Sequence, residues 1–202
     1  MEAFDMEVRS VCVFCGSRPG ARPEYMDAAT RMGAELARRG LTLVYGGASV
    51  GLMGAVADGA LAAGGNVVGV LPGFLGAKEL AHRGLTELHS VGSMHERKAL
   101  MAERSDAFIA LPGGFGTLDE LFEIVTWAQL GLHRKPMGLL DTRGFFQPLL
   151  AMARHHAEEG FVPLEQAVPF AVSASPTALV DRLLAGPTMP PAEKWLKRSS
   201  QT

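Results

Sequence analysis

Short, unbroken apolar runs alternate along this chain with longer stretches in which apolar residues return every three or four positions. Ser10–Cys15, Leu41–Tyr45, Asn66–Leu71, Ala107–Leu111 and Pro136–Leu140 are bounded by Gly, Pro or polar residues. Runs of that length and composition read as strands covered on both faces. A weaker extended stretch lies near Leu85–His89. Helical spacing predicts a helix that begins after Pro23 and stops at Gly40, and a second over GLMGAVADGALAAGG, closing at Gly64–Gly65. Three more follow over SMHERKALMAER, TLDELFEIVTWAQLG and FFQPLLAMARHHAEEG. The last carries Pro148 near its start, where proline is tolerated.

Strand–helix alternation of this kind implies right-handed crossovers and a parallel sheet. The expected fold class is therefore α/β, a Rossmann-like doubly wound parallel sheet in a single domain over residues 8–186. Residues 1–7 and 187–202 change composition and are expected to be loosely packed tails. Ligands of such sheets bind beyond the carboxyl ends of the strands.

Bulk properties narrow the function. The 202 residues suit one domain with a substantial core, and the net charge of -2 argues against a general nucleic-acid or membrane-surface binder. No apolar run is long enough to span a bilayer, and the acidic N-terminus does not resemble a secretory signal, so a cytoplasmic location is expected. Two cysteines are too few for a disulfide scaffold. Cys12 and Cys15 are formally C-x-x-C, but they lie along a strand with side chains on opposite faces and read as core. His155 and His156 are adjacent and HERKA is not H-E-x-x-H, so no metal site is expected. Trp127 and Met137 read as structural.

Three strand ends carry loop-forming residues: CGSRPG, YGGASVGLMG and LPGGFGT. Glycine lets backbone turn sharply and approach a ligand, and a following helix start offers free N–H groups to an anion. Any one such loop is equally a plain connector. Three at one end of a sheet favour a phosphate. GGASVGLMG lacks the Lys-Ser/Thr ending of an ATP-hydrolysing loop, and GGFGTLDE lacks the third glycine of a dinucleotide fingerprint.

Two helix starts bear on the chemistry. Thr117 and Glu120 have the Thr-x-x-Glu spacing of a capping box, and so do Ser93 and Glu96. On these residues alone Glu120 is either a cap or a functional carboxylate. Leu118, Leu121, Phe122 and Val125 form the expected apolar face of their helix. Arg97 and Lys98 stand near the positive end of a helix dipole, where cations are disfavoured unless an anion sits in front. They are either solvated surface charges or anion ligands.

In combination, PGGFGTLDE, SMHERKALM and VYGGASVGLMGAVADGAL resemble the motifs of the LOG (Lonely Guy) family, the cytokinin riboside 5′-monophosphate phosphoribohydrolases, from about Val11 to about Ala185. The resemblance implies a Rossmann-like homodimer that hydrolyses the N-glycosidic bond of an N6-modified adenosine 5′-monophosphate without a cofactor. Carried over by position, Arg97 and Glu120 correspond to the catalytic pair. Lys98, Gly113, Gly114, Gly116 and Thr117 correspond to phosphate and ribose contacts, with Ser17, Gly47, Glu79, Met94, Phe115 and Thr126 as further substrate-binding positions. The segment PGFLGAKELAHRGLTELHSV, which holds Glu79, departs most from the plant-like form. Members have also been labelled lysine decarboxylases, but nothing here resembles a pyridoxal-phosphate lysine site. LOG-like proteins include carriers of a phosphorylated pterin (molybdenum) cofactor, a non-catalytic alternative on the same fold. The implied partner is a small nucleoside 5′-monophosphate, not nucleic acid or membrane.

Overall fold

A computed structural model describes residues 7–76 and 80–189. The strands are β1 (Ser10–Phe14), β2 (Thr42–Tyr45), β3 (Val67–Pro72), β4 (Glu87–Val91), β5 (Ala107–Ala110), β6 (Met137–Leu140) and β7 (Ala171–Ser173). They form one parallel sheet in the order β4-β3-β2-β1-β5-β6-β7. The helices are α1 (Pro23–Arg38), α2 (Gly51–Ala62), α3 (Gly73–Gly76), α4 (Met94–Glu103), α5 (Phe115–Gln129), α6 (Gln147–Glu158) and α7 (Pro176–Leu184). The doubly wound α/β expectation holds.

β1 shows why both faces must be covered. Val11, Val13 and Cys15 pack with Met32 and Leu36 of α1, Val56 of α2 and Leu179 of α7. Cys12 and Phe14 point the other way, onto Met101 of α4 and Ile124 of α5. Both cysteines are buried and free, and burial drives both thiols well above their ordinary pKa. As core residues they cannot act as a redox pair.

The edges of the sheet differ from the expectation. β4 alternates between exposed and half-buried residues, which is why its apolar signal is weak. β7 is three half-buried residues at the opposite edge, too short to register as a run. α7 is a further addition, capped by Ser175 and burying Leu179, Val180 and Leu183. The chain also stays attached beyond residue 186. The Thr188 hydroxyl accepts from Met137 N at 3.0 Å and donates to Pro169 O at 2.9 Å, while Met189 packs on the core. The rest of both expected tails, except Glu7, lies outside the described residues.

What matters for the site is the centre. The chain winds outward in one direction from β1 to β4 and in the other from β5 to β7. Between β1 and β5, paired from Val11 with Ala107 to Phe14 with Ala110, the strand order reverses. A crevice opens beyond the carboxyl ends of strands at such a reversal.

Candidate functional site

Loops at the ends of β1, β2 and β5 meet at that crevice. Gly16 N donates to Pro112 O at 3.1 Å, and Leu52 N donates to Gly16 O at 3.0 Å, which stitches the three loops together. Gly113 sits where two of them meet. A Cβ there would lie 2.1 Å from Thr117 Oγ1 and 2.9 Å from Gly16 N, so any side chain would push the loops apart. The loops enclose a cavity of about 700 Å³.

α4 delivers Arg97 to its wall. Ser93 is the N-cap, and its hydroxyl accepts from Glu96 N at 3.2 Å. Glu96 reaches back to Gly92 N at 2.7 Å, one residue before the position a standard capping box would engage. With the helix entry fixed, the buried Arg97 side chain donates from Nε to Val70 O at 3.1 Å and from Nη1 to Glu120 Oε1 at 3.0 Å. Gly46 makes room for it, since a Cβ there would stand 1.8 Å from Arg97 Nη2.

α5 delivers Glu120, and not as a cap. The helix begins at Phe115 with Gly114 as its N-cap and no side-chain capping bond. Thr117 therefore sits within the first turn, and Glu120 falls in the second, with its carboxylate on Arg97. The Thr-x-x-Glu spacing is overruled because the glycine-rich loop takes up helical geometry three residues earlier than a Thr117 cap requires. The N–H groups of a first turn have no intrahelical partners, and here Phe115, Gly116 and Thr117 all line the cavity. The Glu120 carboxyl titrates above the ordinary glutamate range. Burial is the main cause; Arg97 pulls the other way, and neighbouring Asp119 pushes up again.

The structure brings Ser17, Arg97, Gly113, Gly114, Phe115, Gly116, Thr117 and Glu120 to one wall. Gly47 lies between two wall residues, Gly46 and Ala48, and its carbonyl accepts from His82 N at 3.0 Å. Three other expected positions are off the wall. Lys98 Nζ donates to Asp119 Oδ2 at 3.1 Å and stands 3.3 Å from Glu123 Oε2. Met94 is exposed in the first turn of α4, and exposed Thr126 donates its hydroxyl to Phe122 O at 2.7 Å. Glu79 lies outside the described residues. Phe122 is 44% exposed rather than core, its expected place being taken by Ile124.

Among the wall residues that sequence reasoning missed are Arg18, Tyr25 and Phe145. Arg18 stands inside the CGSRPG loop and was within reach of the glycine-loop argument. Tyr25 and Phe145 meet edge to face at 5.9 Å between centroids, from segments with no motif. Leu71, Leu75, Leu80 and Met53 add an apolar flank. Among the described residues the wall carries one carboxylate, Glu120, and no lysine that could form a Schiff base with pyridoxal phosphate.

The chain is similar in sequence and in fold to known proteins. The family described as "Possible lysine decarboxylase" matches residues 53–183. The cytokinin riboside 5′-monophosphate phosphoribohydrolase of Rhodococcoides fascians is 57% identical over 155 residues, covering 76% of this chain and 78% of that protein. The cytokinin riboside 5′-monophosphate phosphoribohydrolase LOG of Oryza sativa subsp. japonica is 50% identical over 170 residues, covering 84% and 69% respectively. Among solved structures, the molybdenum cofactor binding protein of Rippkaea orientalis superposes with a TM-score of 0.68 over 90% of this chain and 98% of that one. At 22% identity that likeness speaks for the fold alone.

Proposed function

We propose that this chain, which belongs to the LOG family of cytokinin riboside 5′-monophosphate phosphoribohydrolases, hydrolyses the N-glycosidic bond of adenosine 5′-monophosphates, N6-modified ones among them. The products are the free base and ribose 5-phosphate. The observation that carries the reading is the buried Arg97–Glu120 pair, held at 3.0 Å on the wall of a glycine-lined cavity. A cofactor carrier does not need a buried carboxylate on the cavity wall.

The chemistry follows from charge. As the C1′–N9 bond breaks, the electron pair leaves with the base and the ribose becomes oxocarbenium-like. The Glu120 carboxylate stabilises that cation and orients the water whose oxygen bonds to C1′. The water's proton leaves as hydroxyl adds, and the departing base takes up one proton. Arg97 keeps the carboxylate charged and aimed, and has donors left for a sugar oxygen. The α5 start, from Gly113 to Thr117, cradles the 5′-phosphate, and Ser17 borders it.

Exposed Met94, Phe122 and Thr126 on the neighbouring helices α4 and α5 support a homodimer, checked by sedimentation velocity. No helix among the described residues is long and apolar enough to cross a membrane. The decisive assay is incubation with isopentenyladenosine 5′-monophosphate and with AMP, followed by chromatography for free base. Release of base with ribose 5-phosphate is expected. No base from any nucleotide, with tight binding of a pterin cofactor, would replace the hydrolase by a carrier.

A further inference from the structure

We infer that Arg18 is the phosphate-anchoring cation of this cavity, a residue that binds the 5′-phosphate and leaves the glycosidic bond to Arg97 and Glu120. The inference rests on the nucleotide reading above and extends it to a position outside the family motifs.

Charge accounting leads there. Among the described residues, Arg18 and Arg97 are the cations on the cavity wall. Arg97 is engaged elsewhere: Nη1 is on Glu120, Nε is on the Val70 carbonyl, and the donors that remain are the ones assigned above to a sugar oxygen. Its charge is balanced by Glu120. Lys98 is balanced twice over, by Asp119 and Glu123. A phosphomonoester brings roughly -1.5 to -2 charges at neutral pH, whereas a helix start offers only about half a positive charge. Arg18 is exposed and has no hydrogen bond or ion pair among the described residues. Among the described residues it is the cation left to meet the phosphate.

The loop holds it in place. A Cβ on Gly51 would lie 2.4 Å from both Arg18 N and Ser17 C, so the loop backbone is seated against the start of α2. On its other side Gly16 is bonded to Pro112 O, next to the α5 loop. Pro19 follows and restricts Arg18 to extended backbone. Between these loops, Gly114 and Gly116 face open space, with nothing within 4 Å of a Cβ on either. A guanidinium at the rim can present paired N–H donors to phosphate oxygens already held by the α5 amides.

The test is titration calorimetry of the full chain with ribose 5-phosphate, and with adenine as a phosphate-free probe. Arg18→Ala should weaken ribose 5-phosphate about tenfold, as expected for a hydrogen bond to a charged group, and leave adenine unchanged. Arg18→Lys should recover part of the loss. Unchanged ribose 5-phosphate affinity in Arg18→Ala would make Arg18 a solvated surface charge. Equal losses for both probes would mean a distorted loop, and would also overturn the assignment. The hydrolase reading fails separately: a wild type that binds ribose 5-phosphate but releases no base leaves Arg18 in place and removes only the catalysis.

Discussion

Helices α4 and α5 both carry a hydroxyl residue followed three positions later by glutamate, and the two glutamates end in opposite circumstances. In α4 the pattern caps the helix: Ser93 takes the Glu96 amide, and the Glu96 carboxylate is exposed and spent on Gly92 N. In α5 the same spacing lies one turn too deep. Gly114 occupies the cap, and Glu120 is buried against Arg97, 23 residues away in sequence. One carboxylate serves its own helix and the other is released for a ligand. What separates them is the glycine loop before α5, which starts the helix early and leaves its first turn open to the cavity.

That contrast can be pressed at several points. The largest effect is expected from Arg97→Ala, which strands the buried Glu120 charge. Losing one partner of a buried ion pair costs about 3–5 kcal/mol, measured by denaturant unfolding at neutral pH, and base release should be lost as well. Part of that cost should vanish in acid, where Glu120 takes up a proton and no longer needs a partner.

A smaller effect concerns pH. Glu120 must be ionised to act, and its pKa is raised. The acid limb of kcat/KM should therefore lie above the ordinary glutamate value of about 4.3, with activity falling as pH drops through it. A limb at or below the ordinary value would assign the titration to another group. The smallest effect belongs to α4. Ser93→Ala should cost about 1 kcal/mol of stability, the usual worth of an N-cap, with kcat unchanged. A large loss of turnover there would mean that the α4 cap is part of the chemistry.

How much of this was legible in the sequence follows the same division between local and distant causes. The central strands announce themselves because burial on both faces demands continuous apolar runs, as in Val11–Phe14. β4 and β7 do not, since edge strands need less apolar surface. α7 could have been found from Ser175-Pro176 followed by Leu179, Val180 and Leu183. At the site, glycine loops and the Arg97 and Glu120 positions were readable from motif and residue type. Whether Glu120 caps its helix was not, because the answer depends on where α5 starts and on a partner from another helix. Tyr25 and Phe145 reach the cavity only through the topology that sets the α1 start beside the end of β6.

Glu120→Gln tests the central claim most directly, because it keeps the shape of the side chain and an oxygen for Arg97 while removing the negative charge. The account predicts that single-turnover base release from a nucleoside 5′-monophosphate falls by about 10²–10⁴-fold, with the fold retained at the assay temperature and Tm lowered by the loss of the Arg97 counter-ion. Near-wild-type release would contradict it and leave Glu120 as no more than the structural partner of Arg97.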